Sequence, residues 1–229
     1  MTLVLGLPSK GRLMEEAGAW LAERGLRVRR AEGRGYAATA EGLAGVEPRL
    51  LSASEIPGEL ARGRVHLGVT GSDLVAERLG GRGVEALAPM GFGHADLVIA
   101  VPAFWVDVET VDDLEEAAAE FRAAHGRRLR IATKYHRLVR EFLRARGVAD
   151  YALVDSQGAT EGTVAAGTAE AIADITSTGE TLRANGLRPL ADGLIHASQA
   201  VLWRSEAAPW TAEACAALAE LRRRLAPPA

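Results

Sequence analysis

Cysteine is almost absent from the sequence, and its scarcity limits the chemistry that the chain can use. Cys215 is the only cysteine among 229 residues, which excludes an intramolecular disulfide and a metal cluster held by several cysteines. We expect Cys215 to be a buried or neutral thiol rather than a catalytic nucleophile.

Long apolar runs and a signal sequence are also lacking. No apolar run in the sequence is long enough to span a bilayer. Residues 1–8 are apolar, but they are too short for the hydrophobic region of a signal peptide and no basic segment precedes them. We therefore expect a cytoplasmic protein with no membrane partner.

An excess of positive charge is absent as well. The sequence has 27 Lys and Arg against 30 Asp and Glu, which gives a net charge of -3. A nucleic-acid-binding surface usually needs a basic excess, so we expect no nucleic-acid partner. An anion of the size of ATP needs only a local positive pocket, which this composition allows.

The sequence is rich in alternating strand and helix patterns. Short apolar runs alternate with segments of helical spacing throughout the 229 residues, without a repeat or a low-complexity linker. This alternation predicts an α/β fold, and the length suits one large or two small domains. We expect two α/β lobes that share crossover strands, with a ligand cleft between them.

The stretch from Ala169 to Leu187 carries the strongest local signal. An apolar run predicts a buried strand over 171–175, a hydroxyl-rich turn follows over 176–181, and a helix is expected to end before Gly186. A helix N-terminus next to Ser and Thr hydroxyls can bind a phosphate, and Asp174 is placed to reach a ribose diol or a hydrated metal. An ordinary capped strand–helix turn explains the same pattern equally well.

Cations stand at another predicted strand–helix junction. Lys10, Gly11 and Arg12 follow the predicted first strand, which ends before Pro8. The helix dipole and the two side-chain charges favour an anionic ligand there, although a solvated basic turn is the simpler interpretation. The arginines of the segment 27–34 face the same choice between a solvated edge and a surface for a triphosphate or a partner protein.

Further polar residues follow predicted strands. Asp73 ends a strand at the sheet edge where α/β proteins bind ligands, and Lys134 with Tyr135 stands at a third strand–helix junction. Glu161 is either a ribose or magnesium ligand or a carboxylate that caps a short helix. His66 is expected to be a structural histidine within a strand.

Three local predictions concern the frame of the fold. Ser54 is expected to cap a helix with Pro57 in its first turn, and Thr211 is expected to cap the last helix. The apolar segment from Ile195 to Trp203 predicts one long strand.

Five segments, in order along the chain, resemble the ATP phosphoribosyltransferase family. They are Ser9-Lys10-Gly11-Arg12-Leu13, Gly68-Val69-Thr70-Gly71-Ser72-Asp73, Gly91-Phe92-Gly93, Ala132-Thr133-Lys134-Tyr135, and the run from Asp174 to Leu187. The resemblance extends from residue 3 to about residue 203. It implies two α/β lobes like those of bilobal periplasmic binding proteins. The order of the segments argues against a phosphoribosyltransferase that acts on another base.

The resemblance also implies an activity. The family joins N1 of ATP to C1 of phosphoribosyl pyrophosphate (PRPP) and releases pyrophosphate, in the first step of histidine biosynthesis and with Mg²⁺ as cofactor. On this basis residues 1–93 and 188–229 form the lobe on the nucleotide side, and residues 94–187 form the PRPP lobe. Mg²⁺ is expected to bind through substrate phosphates rather than in a cage of protein ligands. A non-catalytic bilobal ligand-binding or regulatory protein is the alternative.

The resemblance assigns roles to single residues. Lys10 and Arg12 are the expected catalytic cations, with Gly11 beside them, near pyrophosphate or nucleotide phosphates. The 5-phosphate of PRPP is expected in the turn formed by Thr176, Ser177, Thr178, Gly179, Glu180 and Thr181, with Asp174 near the ribose hydroxyls. The remaining expected substrate-binding residues are Asp73, Lys134, Tyr135 and Glu161.

The length of the chain resembles the short form of the family. Short forms act with a regulatory subunit similar to histidyl-tRNA synthetase, so the resemblance implies a hetero-oligomer around a homodimer core. Two positions depart from the family pattern: the segment from Ser52 lacks an Arg-Pro pair, and His136 replaces a proline. Arg49 or Arg34 would supply the missing charge near Ser52, and the adenine contacts stay unassigned.

Overall fold

The computed structural model describes residues 2–30, 38–156 and 159–225. The chain forms two compact units. Unit 1 comprises Met1–His94 and Gln199–Ala229, and unit 2 comprises Ala95–Ser198. No helix within the described ranges is long and apolar enough to cross a membrane.

Strands and helices alternate along the chain, as predicted. The elements before the middle of the chain are β1 (Leu3–Pro8), α1 (Arg12–Glu23), β2 (Arg27–Arg30), β3 (Ala38–Glu41), β4 (Val46–Leu51), α2 (Ile56–Ala61), β5 (Leu67–Gly71), α3 (Ser72–Leu79), β6 (Val84–Pro89), β7 (Ala95–Pro102) and α4 (Val111–His125). They are followed by β8 (Leu129–Thr133), α5 (His136–Ala145), β9 (Tyr151–Asp155), α6 (Gly162–Ala165), β10 (Ala171–Thr176), α7 (Glu180–Ala184), β11 (Leu187–Ser198), β12 (Ala200–Ser205) and α8 (Ala212–Leu225).

Unit 1 is built on a sheet with the strand order β4-β1-β5-β12-β6. β1 runs parallel to β4 and β5, whereas β12 runs antiparallel to β5 and β6. β1 is buried along its whole length, and its Leu3 and Leu5 share one core cluster with Leu21 of α1 and Leu221 of α8. Burial of apolar side chains such as these is the main driving force for folding.

Unit 2 is built on a second sheet, with the strand order β11-β7-β10-β8-β9. β10, β8 and β9 run parallel to one another, and β7 is antiparallel to β10. Ile172 of β10 and Leu182 of α7 lie in the same core cluster, so the helix after the hydroxyl-rich turn packs on its own strand. The two α/β units confirm the predicted fold class.

The predicted division of the chain into two lobes is wrong at its second boundary, which was expected between residues 187 and 188. Residues 188–198 belong to unit 2, not to the lobe that contains the termini, because β11 pairs with β7 from Leu187↔Pro102 to Ser198↔Ala95. For the same reason the single strand expected from Ile195 to Trp203 is wrong. β12 pairs with β5 and β6 in the other sheet. An apolar run does not reveal that its pairing partner changes.

Of the two predicted helix caps, one is wrong and one is confirmed. The expected Ser54 cap is wrong: α2 begins after Glu55, whose carboxylate accepts a hydrogen bond from Ser52 N at 3.0 Å. This bond lowers the pKa of Glu55. The expected Thr211 cap is confirmed, because Ala214 N donates to Thr211 Oγ1 at 3.3 Å.

His66 is structural, as expected. Its side chain is 2% exposed, Nδ1 accepts a hydrogen bond from Val4 N at 3.1 Å, and Nε2 lies 3.2 Å from Pro209 O. The first bond requires Nδ1 to be the unprotonated nitrogen, so Nε2–H donates to the carbonyl. Cys215, in contrast, is exposed rather than buried.

Candidate functional site

The carboxyl ends of three parallel strands meet at one edge of the sheet of unit 2. Thr133, the last residue of β8, pairs with Ala173 of β10 on one side and with Asp155 of β9 on the other. The loops that leave these strands therefore start side by side. Ligands of open α/β sheets bind at such an edge.

A pocket of about 230 Å³ lies at this edge. Its apolar base includes Ile172 and Leu182. Six of the residues expected to bind substrate line it: Glu161, Asp174, Thr176, Ser177, Thr178 and Thr181. Glu161 comes from the loop before α6, Asp174 and Thr176 from the end of β10, Ser177 and Thr178 from the turn after it, and Thr181 from the start of α7. The structure thus brings the carboxylates and the hydroxyls of the prediction together.

The turn between β10 and α7 is held by its own hydroxyls. Gly179 N donates to Thr176 Oγ1 at 2.9 Å, and Glu180 N donates to Thr178 Oγ1 at 3.3 Å. The first N–H groups of a helix have no intrahelical acceptor, and these bonds satisfy two of them. A hydroxyl that accepts an N–H still has its own proton to donate. The turn is therefore ordered while its hydroxyl protons stay available to an anion.

Gly179 is required by the backbone of this turn. It precedes α7 with φ 72° and ψ 2°, in the left-handed region. An added Cβ there would lie 3.0 Å from Arg183 Nη1. A residue with a side chain is destabilised by about 1–2 kcal/mol in this conformation, so glycine keeps the turn closed without strain.

Arg183 and Asn185 were not among the predicted site residues, yet they brace the turn from α7. Arg183 Nη2 donates to Thr178 O at 3.1 Å, and Asn185 Nδ2 donates to Thr181 O at 2.9 Å. Arg183 reaches back five residues to the turn, whereas Asn185 and Thr181 are four residues apart, the spacing of neighbouring residues on a helix surface. This spacing was the available signal in the sequence.

The two carboxylates of the pocket have different surroundings. Asp174 Oδ1 accepts a hydrogen bond from Ile175 N at 2.9 Å, which fixes the side chain at the end of the strand. Glu161 is the residue before α6, but among the described residues its side chain makes no capping hydrogen bond. The alternative interpretation of Glu161 as a capping carboxylate is therefore wrong, and its side chain lines the pocket instead.

The other predicted residues of unit 2 lie beside the pocket. Gly179 and Glu180 belong to the turn but, of the described residues, are not among those that line the pocket. Lys134 and Tyr135 follow β8, at the neighbouring strand end, and they too are absent from the described residues that line the pocket. Tyr135 N donates to Thr133 Oγ1 at 2.9 Å, and the residue is 6% exposed. His136 Nε2 lies 3.2 Å from Asp155 Oδ1.

The far end of β10 is fixed by an ion-pair cluster. Glu170, just before β10, accepts from Arg130 Nη2 at 2.7 Å, from Arg130 N at 2.8 Å and from Arg127 Nη2 at 3.0 Å. Burial by itself raises the pKa of Glu170, but the hydrogen bonds from Arg130 and Arg127 outweigh it and lower the pKa to about 2. The cluster attaches the loop before β10 to β8.

In unit 1 the predicted cations also stand at a carboxyl edge. Gly11 has φ 75° and precedes α1, and the exposed side chains of Lys10 and Arg12 flank it. Arg12 Nε lies 3.8 Å from Glu16 Oε1, so the guanidinium is only loosely paired. Because β1 and β5 are parallel neighbours, the loop with Lys10 and the start of α3 with Asp73 share this edge.

Three further observations concern unit 1. Asp73 is 6% exposed in the first turn of α3. An added Cβ at Gly93 would lie 3.3 Å from Leu13 Cδ1, so the segment with Gly93 packs against the segment with Leu13. Arg49 Nη2 is paired with Glu47 Oε1 at 3.2 Å. Arg34 lies outside the described residues.

Most of the chain matches a model of a known protein family. The model described as HisG: ATP phosphoribosyltransferase matches residues 52–226, which is more than half of the chain.

The chain belongs to the ATP phosphoribosyltransferase family.

Two curated relatives illustrate this membership. An ATP phosphoribosyltransferase from Cereibacter sphaeroides is 67% identical over 199 residues, which are 86% of this chain and 84% of the relative. One from Nitrobacter winogradskyi is 53% identical over 197 residues, which are 85% of this chain but only 61% of the relative. The chain thus spans most of one relative and less than two thirds of the other.

Solved structures support the same fold. The ATP phosphoribosyl transferase in the HisG:HisZ complex from Thermotoga maritima matches with a TM-score of 0.72 and 23% identity, over 97% of each chain. The arginine-bound form of truncated ArgBP from Thermotoga maritima matches with a TM-score of 0.53 and 12% identity, over 97% of this chain and 94% of that one. These likenesses concern the fold alone.

Family membership decides between the two functional classes. Members of the ATP phosphoribosyltransferase family are pentosyltransferases of histidine biosynthesis, so the chain is an enzyme of that class. A non-catalytic ligand-binding protein with the same fold is not favoured, since the family model and the curated relatives all point to the transferase.

Proposed function

We propose that the pocket of unit 2 binds PRPP and that this enzyme transfers its phosphoribosyl group to N1 of ATP, with release of pyrophosphate. The convergence of Glu161, Asp174 and four hydroxyl side chains on one pocket supports the proposal most strongly. The volume of about 230 Å³ is below the roughly 300–1,000 Å³ of pockets for drug-sized ligands. It suits a sugar phosphate better than a whole nucleotide.

The 5-phosphate of PRPP is proposed to bind in the turn between Thr176 and Thr181. The hydroxyls of Thr176 and Thr178 accept backbone N–H groups and keep their protons for phosphate oxygens. Hydrogen bonds to a charged group contribute about 1.5–3 kcal/mol each. Two or three such bonds in a preordered turn are sufficient to orient the sugar.

The ribose hydroxyls are proposed to face Asp174. Its Oδ1 is held by Ile175 N, and its other carboxylate oxygen takes no part in that bond. A fixed carboxylate that accepts from a diol gives directional recognition of the sugar. Gly179 and Glu180 support the turn, and Lys134 and Tyr135 from the neighbouring strand end are proposed to contact the part of PRPP that extends past the pocket.

Mg²⁺ is the proposed cofactor, and the pocket fits it. No cluster of three or more His, Cys, Asp or Glu side chains suited to a metal occurs among the described residues. Mg²⁺ commonly binds through one or two carboxylates together with substrate phosphates, and Glu161 and Asp174 are hard oxygen donors at this pocket. When bound, the ion would neutralise charge on the departing pyrophosphate.

Unit 1 is proposed to contribute cations to phosphate groups. Lys10 and Arg12 are exposed at the edge of its sheet, on either side of Gly11, and Arg12 is only loosely paired with Glu16. Positive charge that is fixed before the reaction stabilises a leaving pyrophosphate without reorganisation. Asp73 lies at the same edge and is proposed to contact the nucleotide.

This chemistry depends on held geometry rather than on a covalent nucleophile. Breaking the C1–oxygen bond of PRPP leaves positive charge on the ribose ring and negative charge on pyrophosphate. Orientation of the two substrates and charge on the leaving group supply the acceleration. We expect no single substitution outside the phosphate-binding turn to abolish turnover while both substrates still bind normally.

The enzyme is also proposed to act with a regulatory subunit that resembles histidyl-tRNA synthetase, around a homodimer of this chain. Support comes from the similar Thermotoga maritima structure, which is a HisG:HisZ complex. A cytoplasmic location is part of the same proposal, because ATP and PRPP are intracellular metabolites.

The decisive assay follows pyrophosphate release and the ultraviolet absorbance of the product, from ATP and PRPP with Mg²⁺, with and without the regulatory subunit. Turnover that needs or rises with the subunit supports the whole proposal. Turnover that the subunit leaves unchanged supports the transferase and contradicts the regulatory part. PRPP binding without turnover under either condition would contradict the transferase.

A further inference from the structure

The side chain of Glu161 lines the pocket, but no capping hydrogen bond within the described part of the chain holds it there at the start of α6. Among the described residues its side chain makes no capping hydrogen bond, and α6 has only four residues. A helix of this length has little stability by itself. The position of the Glu161 carboxylate therefore depends on how the preceding backbone is held.

The residue before Glu161 is anchored by a buried pair of hydroxyls. Ser156 Oγ and Thr160 Oγ1 lie 2.8 Å apart, and the two residues are 4% and 0% exposed. Thr160 also closes the turn that follows it, because Thr163 Oγ1 donates to Thr160 O at 2.6 Å. Buried hydroxyls are costly unless they are hydrogen-bonded, so this pair is a specific feature of the loop.

The hydroxyl pair is in turn connected to the sheet edge that bears Asp174. Ser156 N donates to Thr133 O at 3.2 Å. Thr133 pairs with Ala173 of β10, which directly precedes Asp174. Hydrogen bonds and strand pairing thus link the two carboxylates of the pocket through Thr133, Ser156 and Thr160.

We propose that the Ser156–Thr160 hydroxyl pair is a positioning element that holds the Glu161 carboxylate in the pocket that Asp174 also lines, where it acts in Mg²⁺-dependent binding of PRPP. This inference rests on the proposed function. Ser156 and Thr160 themselves are positioning residues, since they act on the substrate through Glu161.

The central variant is the double substitution Ser156→Ala with Thr160→Val. Removing one hydroxyl would leave its partner buried without a hydrogen bond, whereas removing both avoids that cost. We expect the double variant to keep the melting temperature of the wild type within a few degrees while the KM for PRPP rises about three- to tenfold, the equivalent of one lost hydrogen bond. The kcat and the KM for ATP should change less than twofold.

A double-mutant cycle tests the route through Glu161. In a Glu161→Gln background the same double substitution should change the KM for PRPP by less than twofold, because the group being positioned is already altered. The single variant Thr160→Ser, which keeps the hydroxyl, should have a KM for PRPP within about twofold of the wild-type value.

Thr110→Val is the matched control. Thr110 caps α4 in the same unit and exchanges hydrogen bonds with Asp113, away from the pocket-lining residues. This variant should lower the melting temperature and leave the KM for PRPP unchanged.

The outcomes separate the inference from the function on which it rests. If the wild type binds and uses PRPP and the double variant has an unchanged KM, the positioning role is wrong and the proposed function stands. Equal effects of the double substitution with and without Glu161→Gln would also overturn it. A wild type that shows no PRPP binding would overturn both.

Discussion

Replacing Gly179 by alanine perturbs the proposed phosphate-binding turn at one defined point. Gly179 has φ 72°, where a side chain costs about 1–2 kcal/mol. The turn is short and partly exposed, so we expect it to relax locally and release this strain. PRPP binding must then restore the strained conformation, which corresponds to an affinity about 5- to 30-fold weaker.

Gly126→Ala provides the matched control for this prediction. Gly126 follows α4 in the same unit with φ 67°, and among the described residues nothing lies within 4 Å of an added Cβ there. The same backbone strain is thus introduced away from the pocket. This variant should lose stability, measured by denaturant unfolding, and keep the affinity for PRPP.

Calorimetric titration of PRPP with Mg²⁺ into the three proteins measures the effect. The expected order is wild type equal to Gly126→Ala, with Gly179→Ala clearly weaker. Equal affinities of all three proteins would refute the reasoning, because the turn would then tolerate a side chain without consequence for the ligand. A parallel loss in both variants would show a general effect of strain rather than one specific to this turn.

Three further predictions concern other residues. Glu170→Gln should destabilise the protein by at most about 3 kcal/mol at neutral pH. Because the folded-state pKa of Glu170 is lowered to about 2, the difference in unfolding free energy between wild type and variant should be full above about pH 4.5, fall as the pH drops towards 2 and vanish below it. Urea unfolding across this pH range measures the difference, and a difference independent of pH would contradict the ion-pair account. Arg12→Met should lower kcat and leave PRPP binding unchanged in calorimetry, whereas weaker PRPP binding would place Arg12 elsewhere. His66→Ala should lower the melting temperature, because Val4 N and Pro209 O lose their partner, with KM values unchanged; an unchanged melting temperature would argue against a structural role.

Much of unit 2's site could be predicted because it is local in sequence. The strand, turn and helix from Ala171 to Ala184 follow directly from an apolar run, a hydroxyl-rich turn and a following helical segment. Their order along the chain, not any long-range contact, places Thr176, Thr178 and Thr181 around one pocket.

What the sequence could not show depends on pairing between distant segments. The apolar residues on both sides of Gln199 are alike in composition, yet β11 pairs with β7 and β12 pairs with β5 and β6. Strand pairing is set by tertiary packing, so the predicted boundary after residue 187 falls too early, and the structure places it after Ser198. The Ser156–Thr160 pair was missed for a similar reason, because serine and threonine are mostly exposed and their presence in a loop does not predict a buried pair.

The helix starts show the limit of local rules. Thr211 caps α8 as expected, whereas among the described residues α2 has no side-chain cap, and the carboxylate of Glu55 accepts a hydrogen bond from Ser52 N, which precedes the helix. A Ser before a helical segment favours a cap but does not require one, because its side chain can also bond to other local groups.

Titration of PRPP with Mg²⁺ into the wild type and into Thr176→Val tests the central claim most directly. Thr176 Oγ1 holds Gly179 N and, in our account, donates its proton to the 5-phosphate. The account predicts one PRPP site per chain and an affinity about 10- to 150-fold weaker in the variant, the equivalent of a hydrogen bond to a charged group. Equal affinity of the two proteins, or no binding to the wild type, would contradict it.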